Sequence, residues 1–327
     1  HAPQTVNAFH FSMLNDHDRN KFYADALAEI VTPESIVVEI GTGSGVLSMI
    51  AARLGAKHVT AIEANDHLAA IATANFYANG LASRITVINK MSTEVTTAEL
   101  PYGRADILVS EILGTLLLSE NALEFTTDAR ENLLKPDAKI VPAIGTQCVT
   151  LVQCDALESI TTAKNWGGFD LQRYNELKDT ASVLFTNNYG FRFSSVDHLY
   201  LSERIAIEKV DFMVDDFRSR PFADRRYRVK ARADGVVHAA LFSWEVHSDA
   251  EERKHSMSTH VEDTAKNLAR DMQWGQALQL VEDHTASTSA EGGCPVPLVV
   301  TAGEELDIVV KLSKNGVDIQ VLIERAA

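Results

Sequence analysis

The sequence predicts an α/β protein in two parts: a parallel sheet with helices on both faces over residues 1–142, then a mostly antiparallel β domain over 143–327. Three observations predict it. Short buried strands alternate with helical segments as far as Pro142. One of these strands runs into a glycine-rich turn, Gly41-Thr42-Gly43-Ser44-Gly45, which opens a helix in the manner of a nucleoside-binding βαβ unit. Beyond Pro142 the apolar period falls to two, as strands require. A chain of 327 residues is long enough for two sizeable cores.

In the first part, 36–40, 58–62, 85–88 and 105–110 read as buried strands, and 46–54, 66–79 and 117–134 as helices. Asn65-Asp66 supplies a cap for the second helix. Lys135-Pro136 stops the last helix, and Pro142 marks the break between domains. In the second part, 146–152, 205–212, 236–246, 298–302, 307–312 and 317–323 read as strands, a set that suits a barrel. The intervening stretch 156–200 reads helical and aromatic, with Trp166, Phe169, Tyr174, Phe185, Tyr189 and Phe191. Its pattern leaves two readings open: a locally folded insertion, or an arm whose apolar residues meet another subunit. The polar stretch 248–258 is expected to be mobile.

The glycine spacing is G-x-G-x-G. A dinucleotide site would need a third glycine at 46, where Val46 stands instead. An adenosine ligand without a pyrophosphate therefore fits better, and S-adenosylmethionine answers that description. Gly41, Gly43 and Gly45 let the backbone turn tightly and approach the ligand. The helix that follows presents its N-terminus to the methionine carboxylate. Glu63, at the end of the next strand, can accept both ribose hydroxyls. A second feature lies at Ser110-Glu111-Ile112-Leu113-Gly114-Thr115-Leu116-Leu117-Leu118-Ser119-Glu120, where two carboxylates bracket a nearly apolar run. Carboxylates in such company need a cationic partner. A guanidinium is one, since it is protonated at any ordinary pH and too poor a nucleophile to react unaided. Two carboxylates can hold it, draw its charge away from one nitrogen and aim that nitrogen.

With both motifs present, and with Gln273-Trp274-Gly275-Gln276 downstream, the chain resembles the protein arginine N-methyltransferase family, most closely its type III, monomethylating branch. The resemblance runs from Phe9 nearly to the C-terminus. It implies a Rossmann-like methyltransferase domain and a β-barrel substrate domain, with a helical dimerisation arm at about 156–200 and a homodimer as the active unit. On the helix formed by Phe11–Arg19 it places Met13 near the sulfonium and Arg19 on the cofactor carboxylate. Met91 and Ser92, just after the third strand where the adenine would lie, are the adenine candidates. Glu111 and Glu120 become the catalytic pair, needed for transfer but not for folding, and Trp274 walls the arginine pocket. Gln273 stands where the family usually has a histidine that pairs with the aspartate matching Asp16, and a neutral amide cannot form that ion pair. The expected products are S-adenosylhomocysteine and monomethylarginine in basic proteins such as histones and RNA-binding proteins, made in the cytoplasm and also the nucleus.

Composition narrows the alternatives. A net charge of −15 argues against direct nucleic-acid binding and favours the approach of basic substrates. No apolar run is long enough to cross a membrane, and no signal-peptide pattern opens the chain. The cysteines, Cys148, Cys154 and Cys294, are odd in number and lack metal-ligand spacing, so free thiols and no metal are expected. Two rival readings are a methyltransferase of the same sheet acting on RNA or a small molecule, and a non-catalytic cofactor-binding scaffold. A neutral nucleophile needs no double carboxylate, which counts against the first. The intact set Gly43, Glu63, Glu111 and Glu120 counts against the second.

Overall fold

The computed structural model describes residues 9–220, 224–251, 253–287 and 294–326, so 1–8 of the first expected domain lie outside it. Two helices, Phe9–Asn15 (α1) and His17–Ile30 (α2), replace the single one expected at Phe11–Arg19. Asp16 divides them: fully buried, it caps α2 by accepting the Arg19 N–H at 2.9 Å. There follow Ile36–Ile40 (β1), Val46–Arg53 (α3), His58–Ile62 (β2), Asp66–Ala78 (α4), Ile85–Ile88 (β3), Ala105–Ser110 (β4), Ala122–Asn132 (α5) and Leu134–Val141 (β5). The strands pair in parallel in the order β3-β2-β1-β4-β5. β1 and β2 are buried at every residue, as parallel strands covered on both faces must be. The order reverses between β1 and β4, so the loops leaving these two strands flank a crevice where α/β sheets bind ligands. The four strands expected in this domain match residue for residue.

The helix expected at 117–134 does not begin until Ala122. Leu116, Leu117 and Leu118 are buried, but in a turn. Ser119 N–H bonds the Leu116 carbonyl and Asn121 N–H the Leu118 carbonyl, both at 3.0 Å, and Asn121 then takes a left-handed conformation at φ 60°. The turn folds back on Gly114, where a Cβ would lie 1.9 Å from the Ser119 hydroxyl oxygen. Apolar periodicity cannot tell a buried turn from a helix. Nor do Lys135-Pro136 stop a helix; they lie inside β5. The β4–β5 pairing skips from Leu134 to Lys139, and that irregularity on an edge strand tolerates a proline without an N–H.

The chain divides into two compact units at Gly145, not at residue 142, and the division is not contiguous. Lys209–Arg220 and Glu245–Ser258 belong to the first unit. The stretch expected to be mobile ends in a strand, Ser256–Ser258, paired with Glu245–His247.

The second unit is antiparallel. Its strands are Ile144–Gln153 (β6), Val183–Phe185 (β7), Leu199–Tyr200 (β8), Ile205–Asp211 (β9), Arg225–Lys230 (β10), Gly235–Val237 (β11) and Ala239–His247 (β12). Counting Ser256–Ser258 as β13, there follow Ala277–Leu280 (β14), Leu298–Val300 (β15), Glu305–Leu312 (β16) and Ile319–Arg325 (β17). One sheet runs β7-β14-β12-β6-β8 with β9 on β6, and another runs β10-β16-β17. Side chains join them at both edges. The Gln279 amide of β14 donates to the Val321 carbonyl of β17 at 2.7 Å and accepts its N–H at 2.9 Å. The Tyr227 hydroxyl of β10 donates to the Ile207 carbonyl of β9 at 2.7 Å. The sheets thereby close into the expected barrel. Val152, Leu241, Leu278 and Leu280 of the first of these sheets form one buried cluster with Leu157 and Phe193 of the insertion.

Only Asp155–Thr161 (α6) of the insertion at 156–200 is α-helical. The segment from Ile160 to Leu177 is rich in exposed apolar side chains, with Trp166 75% and Tyr174 72% accessible. From Val183 onward the insertion is built into the barrel through β7 and β8.

Candidate active site

The glycine turn leaves β1 with three left-handed residues, each performing a different task. At Gly41 (φ 73°) a Cβ would lie 2.9 Å from Ile112 Cγ2, so the turn is pressed against the loop that follows β4. At Gly45 (φ 87°) a Cβ would strike the Phe76 ring of α4 at 2.4 Å. At Gly43 (φ 55°) a Cβ would meet nothing nearer than the Gly41 carbonyl oxygen at 4.0 Å. Gly41 and Gly45 serve packing, whereas Gly43 borders open space. The Glu63 carboxylate reaches this turn: one oxygen accepts the Gly43 N–H and the other the Asn65 N–H, each at 2.8 Å. It is thus oriented while each oxygen retains acceptor capacity. The buried hydroxyl oxygen of Ser92 has no hydrogen-bond partner within the protein, and Met91 beside it is exposed. An open cradle, an oriented carboxylate and a buried hydroxyl suit an adenosine ligand.

Glu39, inside β1, is a site residue that sequence reasoning missed. It is buried beneath the turn and accepts the Thr42 hydroxyl at 2.8 Å, the Ser48 N–H at 2.9 Å and the Ser48 hydroxyl. Burial raises its carboxyl to about 7 against these hydrogen bonds, which favour the charged form.

Across the crevice, the end of β4 brings Glu111 onto Arg19. The guanidinium donates to one Glu111 oxygen from Nη2 at 2.6 Å and from Nε at 3.2 Å, with both side chains nearly inaccessible. Burial works against the Arg19 charge, but Glu111, with Tyr23 and Asp16, more than offsets it, so the guanidinium is held above its ordinary range. Tyr23, one turn further along α2, completes the group. Its ring centroid lies 5.5 Å from the guanidinium carbon, and its hydroxyl donates to the Ser110 carbonyl at 3.1 Å. Burial, and then the Glu111 charge, push its phenol up. The i, i+4 spacing from Arg19 was the sequence signal for Tyr23. Arg19, expected from the sequence on a cofactor carboxylate, is here joined to a residue expected on the substrate, so the two sites are contiguous.

Glu120 closes the same loop. Desolvation and then the Glu111 charge raise its carboxyl to about 7. The same side chain is open to solvent on one side, where a cation can reach it. A carboxyl poised near neutrality beside a committed carboxylate suits an arriving cation. Met13 lies in α1, partly exposed.

After the short helix Val261–Thr264 (α7), Gln273 and Trp274 end the helix Leu268–Trp274 (α8) of the second unit. Trp274 is buried and stands edge-on to Trp244, with ring centroids 4.9 Å apart at 80°.

A family profile described as ribosomal protein L11 methyltransferase (PrmA) matches residues 16–142. The chain is 33% identical over 307 residues to an arginine N(omega)-methyltransferase of Streptomyces achromogenes subsp. streptozoticus, covering 93% of this chain and 76% of that protein. It is 31% identical over 265 residues to protein arginine N-methyltransferase 7 of Drosophila willistoni, covering 76% of this chain but only 38% of that longer protein. Among solved structures, the Trypanosoma brucei PRMT1 enzyme–prozyme heterotetrameric complex with AdoHcy shares the fold, with TM-score 0.77 at 22% identity over 98% of this chain and 94% of that one. A likeness of one third along nearly the whole length extends beyond the glycine turn to the loop of Glu111 and Glu120 and to the barrel, and it makes this chain a member of the protein arginine N-methyltransferase family.

Proposed function

We propose that the protein transfers one methyl group from S-adenosylmethionine to the guanidino group of arginine in a basic protein or peptide, leaving monomethylarginine and S-adenosylhomocysteine. The observation that carries this reading is the loop after β4, where Glu111 is already charge-paired to Arg19 and Glu120 is held near neutrality. When bound, S-adenosylmethionine supplies an electrophilic methyl on its sulfonium. Glu63 takes the ribose hydroxyls, Ser92 and Met91 the adenine, and Met13 and Arg19 the methionine end, while Gly43 clears the approach and Gly41 and Gly45 hold the turn in place. Glu111 and Glu120 bind the substrate guanidinium and localise its charge away from the attacking nitrogen. The cation stabilises the charged form of Glu120, whose carboxyl can afterwards take up the proton that the methylated nitrogen sheds. Trp274 and Gln273 wall the arginine pocket.

Restriction to one methyl follows from space. A second turnover must fit another methyl near the nitrogen held by Glu120, and overpacking by one methyl costs about 1–3 kcal/mol. Relatives named protein arginine N-methyltransferase 7, the monomethylating branch, support this. Glu120→Asp, shorter by a methylene, should release some dimethylarginine. A second reading is favoured by the name of the Streptomyces relative, which specifies arginine and not protein arginine. Labelled S-adenosylmethionine offered with an arginine-rich peptide, and separately with free L-arginine, decides between them by mass spectrometry of the products. Monomethylated peptide supports the first reading. Methylation of free arginine alone supports the second. Abundant dimethylarginine from the unaltered enzyme would place it in another branch, and no transfer to either substrate would refute both.

The unit that acts is proposed to be a homodimer joined through the exposed apolar segment around Trp166, Phe169, Tyr174 and Leu177. Deleting residues 166–177 should give monomers by light scattering, and a fully active monomer of the intact chain would contradict this.

A further inference from the structure

The short helix α8 ends in a turn that the insertion grips from outside. The last carbonyls of any helix lack intrahelical donors. Here the Asn187 side-chain amide supplies them, donating to the Gln273 carbonyl at 3.0 Å and to the Met272 carbonyl at 3.3 Å. Thr186 makes a two-way bond with Gln276: its N–H donates to the Gln276 carbonyl at 2.9 Å, and its hydroxyl oxygen accepts the Gln276 N–H at 2.9 Å. Gly275 allows this closeness, since a Cβ there would lie 2.2 Å from Asn187 Oδ1. On the other side of the helix end, one oxygen of the wholly buried Asp271 accepts Arg192 Nε and the Ser194 hydroxyl, each at 2.7 Å. The Gln276 amide reaches the Thr259 carbonyl at 2.8 Å, and Thr259 exchanges backbone and hydroxyl bonds with Trp244, the partner of Trp274.

We propose that Thr186, Asn187 and the Arg192–Asp271 pair are positioning residues for the arginine pocket, fixing the 272–276 turn and with it the setting of Trp274 and Gln273. The proposal rests on the reading that these two residues wall the pocket. The grip is specific to the turn: each bond ends on a backbone group of 272–276 or on the buried carboxylate of its helix, and none reaches the glycine turn of the first unit. Loosening it should therefore alter arginine binding and leave the cofactor untouched.

Asn187→Ala and Thr186→Val each remove side-chain contacts to the turn, Thr186 from a buried position, and Arg192→Lys keeps the charge while Arg192→Met does not. In Asn187→Ala the KM for an arginine peptide should rise about 10-fold, with kcat changed much less and S-adenosylhomocysteine affinity and melting unaltered. Arg192→Lys should retain near-normal KM where Arg192→Met does not. A second readout is independent of turnover. Of the three tryptophans, Trp166 is exposed and accessible to iodide, so the iodide-protected emission belongs to Trp244 and Trp274. That emission should shift to the red in Asn187→Ala and in Thr186→Val. An unshifted protected emission in both variants overturns the grip whatever the enzyme methylates. A shift with unchanged arginine KM overturns its positioning role. Absence of arginine methylation by the unaltered protein overturns the functional reading, while the fluorescence still judges the grip.

Discussion

Glu120→Gln is expected to lower turnover by about 10²-fold or more without lowering the melting temperature. The substitution keeps the shape of the side chain and removes only its capacity for charge. Among the described residues Glu120 has no cationic partner, and the neighbouring Glu111 charge opposes its own, so folding does not rest on its charge. Its pH behaviour supplies the stricter test. With its carboxyl near 7 in the free enzyme, Glu120 is protonated below that value and charged above it. Transfer needs the charged form, so kcat/KM should rise with pH through about 7, and Glu120→Gln should flatten that limb. A profile unchanged by the substitution would remove Glu120 from the chemistry. Glu111 is different, and here the structure corrects the sequence-based expectation that neither glutamate serves folding. Glu111→Gln leaves the buried Arg19 guanidinium without its charge partner, a loss of about 3–5 kcal/mol for buried pairs. Its rate defect will therefore be entangled with a lower melting temperature, and Glu120 is the residue on which charge localisation should be judged.

Gly43→Val should abolish measurable binding of S-adenosylhomocysteine with a smaller effect on the fold. A β-branched residue at φ 55° is strained, and its methyls would fill the only open cradle among the three turn glycines. Gly45→Ala is the contrasting control. Its added carbon strikes Phe76 in the core, so it should lower the melting temperature first and affect the ligand only through the fold. Calorimetry with S-adenosylhomocysteine and thermal unfolding together distinguish the two. Unchanged affinity in Gly43→Val, or equal affinity of the unaltered protein for NAD, would show that the cradle does not serve an adenosine ligand.

Four strands of the parallel sheet were legible because each is a short, mainly apolar run bounded by turn residues, a local signal that burial on both faces reinforces; the fifth, β5, was not, because Lys135, Pro136, Asp137 and Lys139 interrupt it. The glycines and Glu63 were legible because backbone conformation and a carboxylate at strand end are written locally. The turn at 116–121 was not, since three leucines buried by a loop give the same pattern as three leucines on a helix face. β10 was missed because its alternation is carried by arginines, which reach across the sheet to Asp307 and Glu324. Arg19 on Glu111, and Asn187 on the 272–273 carbonyls, join residues separated by 92 and by 85–86 positions, distances over which periodicity carries no information.

The first unit is stitched from three stretches of sequence. The late stretches are not ornaments: Arg130 of α5 spends its guanidinium on the Phe212 and Asp215 carbonyls, and the Phe212 ring lies against Gly145. Synthesis from the N-terminus therefore delivers a parallel sheet that lacks part of its own shell until residue 258 has emerged. A gene fragment ending at Pro142 would encode the sheet without Lys209–Arg220 and Glu245–Ser258 of its own unit. Recombination that sought to give this catalytic sheet a new substrate domain would have to carry two distant inserts along with it, which ties the inheritance of the chemistry to the inheritance of the barrel.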